Sequence, residues 1–315
     1  MPKKTKRKSK KRLKQESTET LETKLEDNEF DNLIEVDMHV HTQYSHDSNT
    51  SIKKIVDKCK RTGMGVAITD HNEIKGALDI ARYRSVFSIP GIEVDTKEMT
   101  HLCFYFTNTK DLKKFYLEIK PYMTQEATFS KLDLETTELI KTARKYNGYM
   151  SIPHPYTKGT WNGALEDNFS EELINEADFI EVFNAFNTKK DNIRARDLAT
   201  KYNKPQCGGS DAHYLGEVFR GVTRAEGKTS AEFLANVAAG KSQAYGKQIR
   251  LVKKALNVLH HEAERYLRMD KQTRQERRQY QLMRTKDRYQ KKAEKGIDKT
   301  TTRAVNRIIQ LINMI

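Results

Sequence analysis

Short apolar runs alternate with longer amphipathic stretches through the middle of this chain. These runs are apolar or β-branched, as strands are, and they span residues 33–40, 65–69, 87–92, 102–106, 149–152 and 179–182. Between several of them lie stretches with the apolar spacing of a helix, at residues 51–62, 136–146 and 192–202. Strands that alternate with helices are typical of parallel βαβ units, so the pattern predicts an α/β fold.

Both ends of the chain depart from this pattern. Residues 1–30 open with a Lys/Arg run and continue with Gln, Glu, Ser and Thr, and such a segment cannot bury enough apolar surface to order itself. From about residue 250 the spacing becomes helical, and most positions are charged or Gln. We therefore predict a basic disordered tail (1–30), a central α/β domain (31–247) and a basic helical extension (248–315).

Charge follows the same division. The net charge is +14, with nine basic and no acidic side chains in residues 1–15 and 19 basic against 7 acidic side chains in residues 246–315. The central part is therefore net negative. Basic flanks beside an acidic centre would draw a polyanion such as nucleic acid towards that centre.

The cysteines and the termini indicate where the protein works. The three cysteines, Cys59, Cys103 and Cys207, have no paired spacing, so reduced thiols are expected rather than disulfides. The basic N-terminus is not followed by an apolar signal region, and no apolar run is long enough to span a bilayer. A cytoplasmic protein without a membrane partner is the prediction.

Histidines carry the strongest chemical signal. Seven of the nine lie between residues 39 and 213, and most have a carboxylate close by in sequence, at or just after a predicted strand. Imidazole and carboxylate groups are the ligands of hydrolytic zinc, manganese and iron sites. Because α/β folds bind ligands at the carboxyl ends of their strands, these clusters are expected to form one metal site.

The spacing of these residues is a geometric reason to expect a metal site. His39 and His41 are two residues apart on a predicted strand, so both side chains face one side and can chelate one cation. Asp211 and His213 repeat that spacing after two glycines. His46, the seventh histidine, is expected to face solvent beside its acidic neighbour and not to be a ligand.

Two further acids precede histidine clusters. Asp37 stands before the first pair, and Asp70 is directly followed by His71. Carboxylates that accept a hydrogen bond from a ligating imidazole orient it towards its metal. We therefore expect Asp37 and Asp70 to orient the metal ligands without binding the metal themselves.

Six segments in order resemble the motifs of the PHP (polymerase and histidinol phosphatase) superfamily. The resemblance covers roughly residues 33–245. The segments are His39-Val40-His41-Thr42 with the following Tyr44 to Ser48, Thr69-Asp70-His71, Pro90-Gly91-Ile92-Glu93, His101-Leu102, His154-Pro155, and Gly209-Ser210-Asp211-Ala212-His213.

The resemblance implies a distorted (β/α)7 barrel, the PHP catalytic domain, with up to three divalent ions of Mn, Zn or Fe. Carried over by motif, the ligands are His39, His41, Glu93 and Asp211 for one metal, Glu93, His101 and His154 for the second, and Asp47, His71 and His213 for the third. Glu93, Asp211 and His213 are the residues that this resemblance makes catalytic.

The implied reaction is hydrolysis of a phosphate ester. Two cations would generate a bridging hydroxide that attacks phosphorus in line. The third metal, or His213, would stabilise or protonate the leaving oxygen. Lys158 and Arg220 follow two of the motifs closely and are candidates to bind further phosphate oxygens.

Three functions stay open. We favour a metal-dependent phosphoesterase acting on a nucleic acid or nucleotide, because basic flanks would collect a polyanion. The first alternative is a small-molecule phosphomonoesterase of the histidinol-phosphatase type. The second is a nucleic-acid-binding module whose metal site is not catalytic and whose basic helices make the contacts.

Overall fold

The computed structural model describes residues 33–98, 100–125, 130–157 and 171–249 of the chain. The predicted N-terminal tail, the helical extension from residue 250 onwards and Lys158 lie outside these residues. The described residues from Ile34 onwards belong to one structural unit. Within them, no helix is long and apolar enough to cross a membrane.

Strands and helices alternate along most of this unit. The strands, in chain order, are β1 (Leu33–Val40), β2 (Gly65–Ile68), β3 (Ser88–Asp95), β4 (His101–Tyr105), β5 (Met123–Gln125), β6 (Ser130–Leu132), β7 (Tyr149–Ile152), β8 (Phe179–Asn184), β9 (Gln206–Gly209), β10 (Gly221–Glu226) and β11 (Ser242–Gly246). The α-helices are α1 (Ile52–Thr62), α2 (Lys75–Ile80), α3 (Thr109–Ile119), α4 (Thr136–Lys145), α5 (Glu171–Glu176), α6 (Lys189–Lys201) and α7 (Ser230–Ala238).

Helix α1 shows how the sequence produces these elements. Its buried residues Ile52, Ile55, Val56 and Cys59 recur at the helical spacing and form one apolar face. Ser51 precedes the helix in an extended conformation, and Gly63 ends it with a left-handed φ of 75°. The predicted stretch 51–62 is thus this helix together with its N-cap.

Nine strands form one sheet in the order β11-β10-β1-β2-β3-β4-β7-β8-β9. The pairs β1–β2, β2–β3, β7–β8 and β8–β9 are parallel, as predicted. Strand β4 is antiparallel to both of its neighbours, and β10 is antiparallel to β11. Strand β4 follows β3 without an intervening α-helix. A strand without a crossover helix can return in the opposite direction.

The two ends of the sheet meet, which makes it a nearly closed barrel. The Thr223 hydroxyl of β10 accepts a hydrogen bond from the Gly208 N–H (2.7 Å) and donates one to the Gly208 carbonyl (2.9 Å). The Ser242 hydroxyl of β11 donates to the Gln206 carbonyl at 2.7 Å. The predicted α/β barrel is confirmed, with nine strands in its sheet.

Side chains that alternate between the two faces of a strand belong to two different apolar clusters. In β4, Leu102 and Phe104 belong to the larger cluster, which packs the sheet against several helices, whereas Cys103 and Tyr105 belong to the smaller one. The smaller cluster also holds Phe233 of α7. Because both faces of these strands are buried, their sequences are almost continuously apolar. The few polar positions inside them are therefore exceptions that need a partner.

Candidate metal centre

All nine predicted ligands converge at one edge of the barrel. Parallel strands end at the same edge, which brings together the ends of β1, β2, β7 and β9 and the residues that follow them. Strand β4 runs the other way, so His101 at its beginning lies at this edge too. Glu93, expected at a strand end, lies inside β3, two residues before Asp95.

Glu93 is the centre of the cluster. Its carboxylate is fully buried. Its Oε2 lies 3.3 Å from Nε2 of both His39 and His41, and its Oε1 lies 3.0 Å from Nδ1 of His101 and 3.2 Å from Nε2 of His154. Oε2 also lies 3.4 Å from Nδ1 of His71. The two oxygens thus face different imidazoles, the arrangement required of a carboxylate that bridges two cations.

Two further carboxylates complete the cluster. Oδ1 of Asp211 lies 3.3 Å from Nε2 of His41 and 3.6 Å from Nε2 of His39. Oδ2 of Asp47 lies 2.8 Å from Nε2 of His213. The same oxygen of Asp47 lies 3.4 Å from Nε2 of His71.

Four sets of donor atoms among the described residues are each close enough together to surround a cation, with all atoms of a set within 4.8 Å of one another. The sets are His41, Asp47, His71 and His213; His39, His41 and Asp211; His71, Glu93 and His101; and His39, Glu93 and Cys103. They contain eight of the nine predicted ligands; His154 belongs to none of them, and His71 stands in its place beside Glu93 and His101. Cys103 joins one set although the sequence indicated only a reduced thiol there.

The donor atoms fit divalent cations. Within the described residues, Nε2 of His41 and Nδ1 of His101 are buried without a hydrogen-bond partner, although both lie close to carboxylate oxygens. A buried polar atom without a partner costs about 1–3 kcal/mol. A cation between these nitrogens and oxygens would remove that cost and would neutralise the buried carboxylates.

Burial and neighbouring charges set the protonation of the cluster. Burial and the adjacent His213 lower the pKa of His41 to about 3, so its ring is neutral and keeps a lone pair for a metal. Burial would raise the pKa of Glu93, but the charges of His101 and His71 hold it well below its usual range. Both groups are therefore in the form that binds cations.

Asp95 and Glu181 also contact the cluster, and the sequence interpretation missed both. Oδ1 of Asp95 lies 2.8 Å from Nδ1 of His71, and Oε1 of Glu181 lies 3.2 Å from Nδ1 of His39. The signals were present: Asp95 is two residues beyond Glu93 on β3, the same-face spacing of the histidine pair. Glu181 is a lone acid within an apolar run.

Asp37 and Asp70, the two acids expected to orient ligands, accept hydrogen bonds from the backbone of the surrounding loops. Asp37 accepts hydrogen bonds from the N–H and hydroxyl of Ser210 (2.8 and 2.6 Å) and from the N–H of Phe219 (2.7 Å). Asp70 accepts from the N–H and hydroxyl of Thr42. Burial raises the pKa of each carboxyl to about 7. Contacts to imidazole rings are instead made by Asp95 and Glu181.

The remaining predicted positions lie around the cluster. His46, expected to face solvent, is half-buried, with its ring 5.0 Å from that of His71. Arg220 precedes β10, is half-buried, and accepts a hydrogen bond from the Lys247 N–H through its carbonyl. A contact of Arg220 or Lys158 with phosphate stays a prediction.

Comparisons with known proteins agree with this geometry. A family model of the PHP domain matches residues 37–262. An uncharacterized protein of Methanocaldococcus jannaschii is 26% identical over 189 residues, which are 59% of this chain and 68% of that protein.

Two solved structures share the fold at low identity. One is a two-domain protein of Bacteroides vulgatus containing a predicted PHP-like metal-dependent phosphoesterase (TM-score 0.50, 15% identity, 73% of this chain and 70% of that one). The other is the lesion-specific endonuclease PfuEndoQ of Pyrococcus furiosus (TM-score 0.52, 17% identity, 67% of this chain and 57% of that one).

Proposed function

This chain belongs to the PHP domain family, and from that premise we propose that it is a metal-dependent phosphoesterase acting on phosphate esters of nucleic acids or nucleotides. The observation that carries the proposal is the convergence of six histidines and three carboxylates on one barrel edge around the buried Glu93. Such a set of buried polar groups is costly unless it binds cations.

The proposed ligand groups are those implied by the motifs. They are His39, His41, Glu93 and Asp211; Glu93, His101 and His154; and Asp47, His71 and His213. Bound divalent ions would supply Lewis-acid polarisation of the phosphoryl oxygens and acidification of water. Glu93 is placed to join the first two groups because its two oxygens face different imidazoles.

His213 is the proposed group on the leaving-group side. Its side chain is 21% exposed, whereas those of His39 and His41 are fully buried, so it borders the open side of the cluster. Burial alone would lower its pKa, but the Asp47 carboxylate outweighs burial and raises the pKa to about 9. His213 therefore either holds a cation with Asp47 or, without that cation, carries a proton for the leaving oxygen.

Three observations support a nucleic-acid or nucleotide substrate. The basic flanks of the sequence would collect a polyanion. The half-buried ring of Phe186 lies 6.5 Å from that of His213, where it can stack on a base next to the phosphate. The Pyrococcus furiosus protein of similar fold is a lesion-specific endonuclease.

The test is a panel of oligonucleotides, nucleoside monophosphates and histidinol phosphate, incubated with the manganese-loaded protein and with its Asp211→Asn variant. We expect oligonucleotide cleavage that weakens steeply with salt and falls at least about 100-fold in the variant, because a carboxylate ligand is lost. Asp133→Asn is the matched control, since the Asp133 side chain is 57% exposed and pairs with Lys97 rather than with a proposed ligand.

The possible outcomes separate the alternatives. Cleavage of monoesters alone would exclude the nucleic-acid substrate and favour a small-molecule phosphatase. A metal-loaded protein that cleaves none of the esters but binds oligonucleotides would exclude the phosphoesterase and favour a binding module. Equal activity of the Asp211→Asn and Asp133→Asn variants would place catalysis outside this cluster.

A further inference from the structure

Glu181 on β8 is a buried carboxylate outside the proposed ligand groups. Only 3% of the residue is exposed. Its Oε1 lies 3.2 Å from Nδ1 of His39, and its Oε2 accepts hydrogen bonds from the His154 N–H at 2.7 Å and from the Asn184 side-chain amide at 2.9 Å. One carboxylate thus contacts residues of both groups that Glu93 joins.

The contact with His39 determines which ring nitrogen is free. A carboxylate only accepts hydrogen bonds, so the contact requires the proton of a neutral His39 ring to be on Nδ1. Nε2 then carries the lone pair. It is the Nε2 atom that lies 3.3 Å from Glu93 and 3.6 Å from Asp211. Glu181 therefore holds His39 in the tautomer that ligates a cation on the Glu93 side.

The second contact holds the backbone of His154. This residue has a φ of 28°, in the left-handed region that residues other than glycine seldom adopt. Its N–H donates to Oε2 of Glu181, and its ring places Nε2 3.2 Å from Oε1 of Glu93. An unusual backbone conformation persists where its surroundings impose it, and Glu181 is such a contact.

The third contact extends the network to Asp211. The side-chain amide of Asn184, which donates to Glu181, also lies 3.3 Å from Oδ2 of Asp211. Asn184 is itself fully buried, and its side-chain oxygen Oδ1 accepts a hydrogen bond from the Phe186 N–H at 2.8 Å. Glu181 and Asn184 together therefore reach three proposed ligands from one strand.

Glu181 is not placed as a ligand itself. Both of its oxygens are engaged by nitrogen donors, and Oε1 meets the ring of His39 at Nδ1, whereas Glu93 meets it at Nε2. We propose that Glu181 is a positioning residue that sets the tautomer of His39 and the backbone of His154, so that both rings present Nε2 to cations held by Glu93. This inference rests on the proposed metal-dependent function.

The test uses the full chain and the variant Glu181→Gln, which keeps the size of the side chain. If the amide oxygen continues to accept from His154, the amide N–H faces His39 and forces the ring proton onto Nε2. Loss of such an outer contact typically weakens metal binding about 10- to 100-fold, and we expect a loss of manganese affinity in that range by calorimetric titration. Glu181→Asp, which keeps the charge, should recover part of it.

Controls separate positioning from general stability. Glu138→Gln, with a side chain 54% exposed on α4, should bind manganese as the wild type does. Nitrogen-15 NMR of the zinc-loaded wild type should show the His39 proton on Nδ1, because a cation at Nε2 keeps the ring neutral. Wild-type affinity in Glu181→Gln would overturn the proposal, and so would a wild-type His39 protonated on Nε2 alone, even if the variant does not fold.

Neither measurement uses a substrate. A protein that passes both tests but hydrolyses no phosphate ester would refute the proposed function and leave the role of Glu181 intact. If the protein hydrolyses phosphate esters but its Glu181→Gln variant binds manganese normally, the proposed function stands and the role of Glu181 is refuted.

Discussion

Replacement of Gly209 by alanine should disturb the metal centre through a single added methyl group. Gly209 ends β9, where this strand passes closest to β1. A Cβ added at Gly209 would lie 2.4 Å from Cβ of His39, 2.8 Å from the His39 backbone nitrogen and 2.8 Å from Oε1 of Glu181. Carbon atoms in ordinary contact are about 3.5–4.0 Å apart, so the methyl group would displace His39 by roughly an ångström.

Two effects follow from that displacement. Overpacking of a buried site typically costs about 1–3 kcal/mol, and rigid backbone on the other side places this substitution towards the upper end. The ring of His39 would also move relative to Glu93 and Glu181, so we expect manganese affinity to fall about 10- to 100-fold. Stability can be followed by urea unfolding of the metal-free protein, and affinity by calorimetric titration.

Gly63→Ala is the matched control. Gly63 ends α1 with φ of 75°, and an added Cβ would have no neighbour within 4 Å. An alanine there costs about 1–2 kcal/mol through its left-handed backbone alone and should leave metal binding unchanged. If Gly209→Ala and Gly63→Ala lost similar stability and both bound manganese like the wild type, close packing of Gly209 on His39 would not control the site.

Two further predictions concern the metals and the substrate. Removing the ions with EDTA should lower the melting temperature by about 5–10 °C, because a ligand at 100 times its Kd contributes about 2.7 kcal/mol, and a melting temperature that ignores EDTA in a metal-containing protein would contradict this. Phe186→Ala should raise KM for oligonucleotides about 5- to 150-fold, since stacking contributes about 1–3 kcal/mol per base, and leave KM for a phosphate ester without a base unchanged. Equal changes for both substrates would exclude a stacking role for Phe186.

The sequence predicted several strands and helices closely because these elements depend on the local spacing of apolar residues. The run 149–152 is β7 itself, and 51–62 is α1 with its N-cap. The direction of β4 could not be read in this way, because this strand is buried on both faces and its apolar residues do not depend on the direction of its neighbours. The reversal of β4 brings His101 to the same edge as the ends of its neighbours.

The positioning acids show the same limit at the site. Asp37 and Asp70 stood out because histidines follow them closely, yet each contacts backbone groups and a hydroxyl. Glu181 is 142 residues from His39 in the chain and 3.2 Å from it in space. Sequence proximity predicts what lies on the same strand, whereas a contact across the barrel depends on which strands are neighbours.

By itself, the sequence determined the class of fold, the family, and which six histidines and three of the acids converge. These follow from residue types and their order, which survive folding unchanged. Only the tertiary structure decided that the two oxygens of Glu93 face five imidazoles, and that Glu181 rather than Asp37 contacts the ring of His39. The reason is physical: pairing of strands distant in the chain sets these distances, and the nearly closed sheet holds buried carboxylates and imidazoles within contact distance of one another.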